Sequence, residues 1–481
     1  MDIMNYTWEI VMVLYFFAVV SVIATVLSER RNPVKSVAWI TVILLLPIAG
    51  LGFFILFGQK YRRKKIFNRK ILRDLKHIEQ YSKKQVKELS KYYDANLADN
   101  IKTIKLLLNN SKTLLTYNND VKVLQNGDNT FADIIDELKK AKESIHLEYY
   151  IYEVDELGKQ IAEILVEKAL AGVEVRFIYD DVGSWHIKKK FLRKLNDAGV
   201  ETHCFIPVVF PILSSKINYR NHRKIIVIDG QIGYTGGINI ADRYIHGTKN
   251  GIWRDTHLKI KGDAVRMMQI IFLTDWIFAT RKPLENTTKY LTQKDVEYGY
   301  NPIQIAASGP DSNWASIMQA YFTAITDAKH HIYISTPYFM PNEAILTALK
   351  VAALSGIDVK IMLPEKSDSK LVHWASRSYF KELLEAKVKI YLYTNGFNHS
   401  KLMCVDGNFS TIGSVNMDER SFEVNFEITA MIYDKDTTNL VEKAYLADIN
   451  TCKHLTLNKW NNRKHQDNFK ESVARLFSPL L

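Results

Sequence analysis

The stretch His222-Arg-Lys224-Ile-Ile-Val-Ile-Asp229-Gly230 returns as His399-Ser-Lys401-Leu-Met-Cys-Val-Asp406-Gly407, 177 residues further along the chain (399 − 222). The same offset relates Gly236 to Gly413, Asn239 to Asn416 and Arg243 to Arg420. A single His-x-Lys-x4-Asp match in 481 residues carries little weight. Two copies that stay in register as far as Arg243 and Arg420 restrict the fold, because the chain must build the same local structure twice.

In each copy an apolar run ends in Asp-Gly, a hairpin turn signal, so the motif reads as strand, turn, strand. Side chains two apart on a strand share a face, so His222 and Lys224 point one way and Asp229 the other. Asp229 also lies roughly 16 Å beyond Lys224 on an extended strand, too far to orient its own histidine. The candidate catalytic set is therefore His222, Lys224, Asp229, His399, Lys401 and Asp406, with a turn or ion-pair task expected of the two aspartates.

A histidine beside a lysine suits phosphodiester chemistry. Imidazole can attack phosphorus to give a phosphoryl-histidine, dividing one displacement into two easier ones. Lysine supplies a fixed positive charge to the phosphate oxygens. One motif supplies one histidine, whereas the reaction needs a nucleophile and an acid for the leaving alkoxide. Two motifs facing each other about a pseudo-twofold axis supply both. Past each hairpin, Gly236-Gly237-Ile-Asn239 and Gly413-Ser414-Val-Asn416 offer small residues and an amide, which suggests Gly237, Asn239, Ser414 and Asn416 as a phosphate cradle. A partner on the second imidazole nitrogen must fix the tautomer. Asp255, 33 residues past His222, and Glu427, 28 past His399, are the candidates.

The duplication extends beyond the motif. Ile145–Tyr152 reads as strand, Leu157–Ala171 as amphipathic helix and Val173–Tyr179 as strand. Ala328-Lys329 before His331–Ser335 echoes Ala141-Lys142 before Ser144–Glu148, and Ser355–Ile361 echoes Ala171–Phe177. Whole α/β domains are repeated, at about 119–295 and 296–481. Tyr149, Tyr150, Arg220 and the Thr336-Pro337-Tyr338 segment end strands directed at the site; core or turn packing is expected of them, with pocket lining as the alternative. His257, His330 and His331 are read as structural, and Cys404 as a buried strand position.

A formal net charge of +12, from 64 Lys and Arg against 52 Asp and Glu, favours a polyanionic partner, nucleic acid or an anionic membrane surface. Cys204, Cys404 and Cys452 lack CxxC spacing, which argues against a disulfide framework or zinc ribbon and fits a reducing compartment. No metal site and no cofactor are expected, since lysine is a poor ligand and a Gly-rich dinucleotide fingerprint is absent.

The N-terminus selects the membrane. Ile10–Leu27 is an uncharged apolar run without a basic n-region or a cleavage site, so it reads as a retained anchor. Ser36–Gln59 is a second uncharged run, interrupted by Pro47, Gly50 and Gly52, which leave room for a re-entrant segment. Two passes, about 10–27 and 36–58 within an anchor of residues 1–59, are expected. Basic residues after the second run, from Lys60 to Lys76, outnumber Arg30, Arg31 and Lys35 between the runs, which predicts a cytoplasmic catalytic part. Residues 60–118 read as a basic helical linker that attracts anionic headgroups.

These motifs carry the signature of the phospholipase D superfamily, and the order of segments resembles bacterial cardiolipin synthases over nearly the whole chain. The resemblance rests on two hydrophobic segments with Arg-Arg-Asn-Pro33 between them, two His-x-Lys motifs and the closing Arg475-Leu-Phe-Ser-Pro-Leu-Leu481. It implies two phospholipase D-type α/β sandwich domains with pseudo-twofold symmetry behind two transmembrane helices. It implies also that two phosphatidylglycerol molecules yield cardiolipin and glycerol through a phosphatidyl-histidine. His222 is then nucleophile and His399 acid and base, or the reverse. The partners implied are phosphatidylglycerol, cardiolipin and an anionic membrane, with no nucleic acid; a membrane-tethered phospholipase D or nuclease, and an inactive lipid-binding scaffold, are the rival readings.

Overall fold

The structure is a computed structural model that describes residues 2–28, 33–46, 48–54, 75–91, 97–208, 218–285, 287–291 and 296–481. The chain forms two compact units, one of residues 1–69 with 208–219 and the other of residues 70–207 with 220–481.

In the smaller unit a helix spans Asp2–Ser28, and its stretch Glu9–Ser28, 20 residues of mean hydropathy 2.8, is long and apolar enough to cross a membrane. The second apolar run behaves differently. Its helix covers only Pro33–Leu45 and is followed, past Pro47, by a short helix Ala49–Phe53. At about 1.5 Å per residue, 13 residues fall short of a hydrocarbon core about 30 Å thick. Among the described residues one helix is long and apolar enough to cross a membrane. Arg30, Arg31 and nearly all of the Lys60–Lys76 run lie outside the described residues.

The larger unit is built on one fifteen-stranded sheet. From its middle outwards, the first half runs Leu115–Gln125, Thr256–Gly262, Ile232–Gly236, Lys224–Ile228, Ser144–Tyr149, Glu174–Tyr179 and Glu201–Cys204. The second half runs Tyr300–Ser308, Glu427–Ile432, Phe409–Gly413, Leu402–Val405, His331–Ser335, Asp358–Pro364 and Lys389–Tyr393, with Cys452–Leu455 added at its edge. Strand polarity repeats as well, four antiparallel pairings followed by two parallel ones in each half. The halves join where Leu115–Gln125 pairs antiparallel with Tyr300–Ser308.

The motif strands are buried on both faces, which explains why they read as continuous apolar runs. Helix Asp263–Thr280 covers one such face with Val265 and Met268, in one cluster with Ile225 and Val227. The expected elements around residues 145–179 appear as strand Ser144–Tyr149, helix Glu156–Leu170 and strand Glu174–Tyr179. Cys404 is fully buried in its strand.

Candidate active site

Both hairpins turn where the sequence places them, with Asp229 and Gly230 at φ 52° and 65° and Asp406 and Gly407 at 51° and 67°. The aspartate carboxylates are consumed there. Asp229 accepts from the backbone N–H of Lys142, Glu143 and Ser144, and Asp406 from those of Lys329, His330 and His331. Asp229 and Asp406 thus leave the catalytic set, because their oxygens anchor the loop before the neighbouring strand.

At the other end of each motif strand the histidines reach across the repeat. His222 Nδ1 lies 3.0 Å from both carboxylate oxygens of Glu427, and His399 Nδ1 lies 2.7 Å from Asp255 Oδ2. Counting along the sequence matches each histidine with the carboxylate of its own half; the structure exchanges them. Backbone pairing is the cause. Gly396–Asn398, leading to His399, pairs parallel with Ile252–Arg254, leading to Asp255. Asn221, before His222, bridges Phe426, before Glu427, and His222 N–H donates to the Phe426 carbonyl at 2.9 Å.

Gly237 and Ser414 are redirected by the same geometry. Their backbone N–H groups donate to the Thr256 and Ile428 carbonyls, so neither is free for a phosphate. A Cβ on Gly237 would stand 2.1 Å from Asp255 Oδ1, so the glycine makes room for that carboxylate. Ser414 Oγ donates to Glu427 Oε2 and is itself fully buried. Both residues serve the histidine-orienting carboxylates instead of a cradle. Asn239 and Asn416 do reach the cavity, and Asn239 Nδ2 donates to the Tyr244 hydroxyl at 2.6 Å.

The cavity holds about 510 Å³ and is lined by both histidines, both asparagines, and Arg220, Arg243 and Arg420. Tyr150, Tyr338 and Arg220 line it as well, where packing was expected, whereas Tyr149 belongs to the hydrophobic core. Lys224 and Lys401 are buried, each Nζ donating to the carbonyl of its own histidine at 2.7 and 2.6 Å. Burial pushes Lys224 down to about 7 and Lys401 to about 8, against the attraction of Glu427 and Asp255. Burial also lowers His222 to about 4, and His399 well below its ordinary value with Lys401 and Lys224 adding to the effect. Both imidazoles are therefore neutral near pH 7, and a proton held on Nδ1 leaves the Nε2 lone pair open.

The residue between His and Lys, which looks indifferent in sequence because it is Arg in one copy and Ser in the other, is engaged in both. Arg223 is 4% exposed, donates from Nε to the Glu427 carbonyl and from Nη2 to the Ser308 carbonyl, and pairs with Asp275. Ser400 Oγ meets Thr256 Oγ1 at 3.2 Å, beside Asp255. Each middle residue braces the strand that carries the opposite carboxylate; alternation along the strand, which turns it away from the His–Lys face, is the signal that could have shown it.

Repeated α/β halves that trade carboxylates around paired His-Lys motifs define a PLD-like enzyme. A family model described as cardiolipin synthase, PLD-like domain, matches residues 134–274 and 321–449, and a phospholipase D-nuclease N-terminal model matches 13–59. The chain belongs to the cardiolipin synthase family. It is 46% identical to a cardiolipin synthase of Geobacillus sp. strain WCH70 over 95% of this chain and 91% of that protein. It is 44% identical to cardiolipin synthase 2 of Bacillus anthracis, over 94% and 88%. The fold resembles that of phosphatidylserine synthase from Haemophilus influenzae Rd KW20, with a TM-score of 0.61 at 14% identity, covering 79% of this chain and all of the other.

Proposed function

We propose that the chain is a phosphatidyltransferase that joins two phosphatidylglycerol molecules into cardiolipin and releases glycerol. The observation that carries this reading is the pair of histidines lining one cavity, each with Nδ1 held by a buried carboxylate. His222 Nε2 attacks the phosphorus of the first lipid, and the departing glycerol oxygen takes a proton from His399 Nε2. A hydroxyl of the second phosphatidylglycerol then gives its proton back to His399 and attacks the phosphatidyl-histidine. Exchanging the two histidines leaves the same balance.

For the first step His399 must carry a proton, which the cations around it oppose. A bound phosphodiester brings a negative charge that offsets Lys224, Lys401 and Arg243, so substrate binding and protonation of His399 support each other. The buried lysines keep positive charge on the phosphate in surroundings where little water screens it. Asn239 and Asn416 hold the remaining oxygens.

The same reading takes residues 119–295 and 296–481 as two phospholipase D-type domains about a pseudo-twofold axis, which the matching strand orders support. It places them on the cytoplasmic side of a multi-pass membrane anchor, a reading that the excess of basic residues after the second apolar run supports. The test is to incubate the detergent-solubilised chain with phosphatidylglycerol alone, in EDTA, for wild type, His222→Ala and His399→Ala. Cardiolipin and glycerol from wild type only are expected. Phosphatidic acid in their place would make the chain a hydrolase, and no turnover would leave a lipid-binding scaffold.

A further inference from the structure

Beside the cavity lies a surface that the chemistry does not use. The segment from Trp185 through helix Lys189–Asp197 presents Lys188, Lys189, Lys190, Arg193 and Lys194, all exposed. Among the described residues none of these five is in an ion pair, which is unusual in a chain whose surface lysines are often paired. Trp185 is 75% exposed, with Ile187, Phe191 and Leu192 half-buried along the same stretch. An indole standing in solvent next to a row of unpaired cations has the composition of an element that lies in a lipid–water interface, ring among the headgroups and ammonium groups on phosphates.

Its position adds to the argument. Ser184, adjoining Trp185, ties down the loop after the strand Ser144–Tyr149: its Oγ donates to the Tyr150 carbonyl at 2.9 Å and accepts from the Tyr152 N–H at 3.0 Å. Tyr150 and Ile151 of that loop line the active-site cavity, while Glu153, Val154 and Asp155 line a groove with Lys190 and Lys194. Glu153 marks the boundary, 3.2 Å from His186 on one side and 3.9 Å from the cavity residue Arg243 on the other.

We infer that residues 185–194 dock the catalytic part onto a bilayer rich in anionic phospholipid, setting the mouth of the cavity against the surface from which lipid is drawn. The inference deepens the phosphatidyl-transfer reading in naming where substrate is gathered, and rests on it only for turnover. The full chain is reconstituted in phosphatidylcholine bilayers containing graded amounts of phosphatidylglycerol, as wild type, as Trp185→Phe, and as the triple variant Lys188→Glu, Lys190→Glu, Lys194→Glu. Brominated phosphatidylglycerol should quench an emission component that wild type has and Trp185→Phe lacks, and the quenching should weaken with salt. In the triple variant the apparent KM in surface mole fraction should rise about tenfold, with kcat at saturating phosphatidylglycerol unchanged and with the salt dependence lost. Detergent micelles should abolish the difference. Equal surface-dilution curves for triple variant and wild type, or a Trp185 component that brominated lipid leaves untouched, would overturn the docking inference. Quenching without any cardiolipin formed would instead sink the transfer reading and leave docking in place.

Discussion

His399 and Asp255 stand 2.7 Å apart although 144 residues separate them and each belongs to a different half of the sheet. His222 and Glu427 repeat the arrangement across 205 residues. Exchange of carboxylates makes the site a property of both halves together.

The exchange predicts which variants couple. Glu427→Gln and Asp255→Asn should each lower kcat by about 10²- to 10⁴-fold, since each replaces the charged, acceptor-only carboxylate that fixes the imidazole tautomer with a neutral amide that can also donate. In double-mutant cycles on phosphatidylglycerol turnover, Glu427→Gln should add little to His222→Ala, and Asp255→Asn little to His399→Ala. Coupling of His222 with Asp255 in place of Glu427 would contradict the geometry.

Buried lysines and His399 together set the alkaline side of the pH profile. Lys224 and Lys401, lowered to about 7 and about 8, are charged below those values and lose charge as pH rises through them. The profile of kcat/KM, which reports the free enzyme, should therefore decline already from acid pH as His399 loses the proton that the first step needs, and steepen between about pH 7 and 8 as the lysines lose charge, while kcat holds to higher pH because the bound phosphodiester raises all three groups. On the acid side His222, lowered to about 4, stays neutral, so that limb should lie well under pH 6.

Asp229→Ala should act on stability and not on chemistry. Three backbone N–H groups lose their acceptor, at a cost of about 1–3 kcal/mol. Thermal unfolding should report a lowered Tm, with kcat per folded molecule close to wild type. A large fall in kcat at unchanged Tm would return the aspartate to the catalytic set.

Arg223→Met should be more damaging than its place between His222 and Lys224 suggests. Removing the guanidinium leaves Asp275 and Glu148 buried without their cation, and Glu148 already sits well above its ordinary pKa through burial and the charge of Asp275. Breaking such a buried pair costs about 3–5 kcal/mol. The Tm should fall by far more than for Ser400→Ala, whose hydroxyl meets that of Thr256 in the other half.

Much of this arrangement is legible in the residues. Periodicity and the Asp-Gly turns locate the hairpins, and the constant offset identifies the duplicated histidines, lysines and asparagines. Asp255 and Glu427 can be picked out as carboxylates opening downstream strands, but not their partners, because parallel pairing of Ile252–Arg254 with Gly396–Asn398 is a contact between halves that leaves no periodic trace. Gly237 and Ser414 read as phosphate ligands for a related reason: a small residue marks close approach, without saying whether an anion or a carboxylate of the same chain approaches. The second apolar run is read as a span from composition alone, whereas its described helix covers Pro33–Leu45.

The sheet that runs unbroken through both halves also governs how the molecule comes into being. A ribosome that has released the first half has delivered Asp255 and His222, yet each waits for a partner not yet synthesised. Contacts across such sequence distances close late and slowly. A nascent or truncated chain therefore carries no working pair, and the membrane meets phosphatidyl-transfer chemistry only from polypeptides that have been finished.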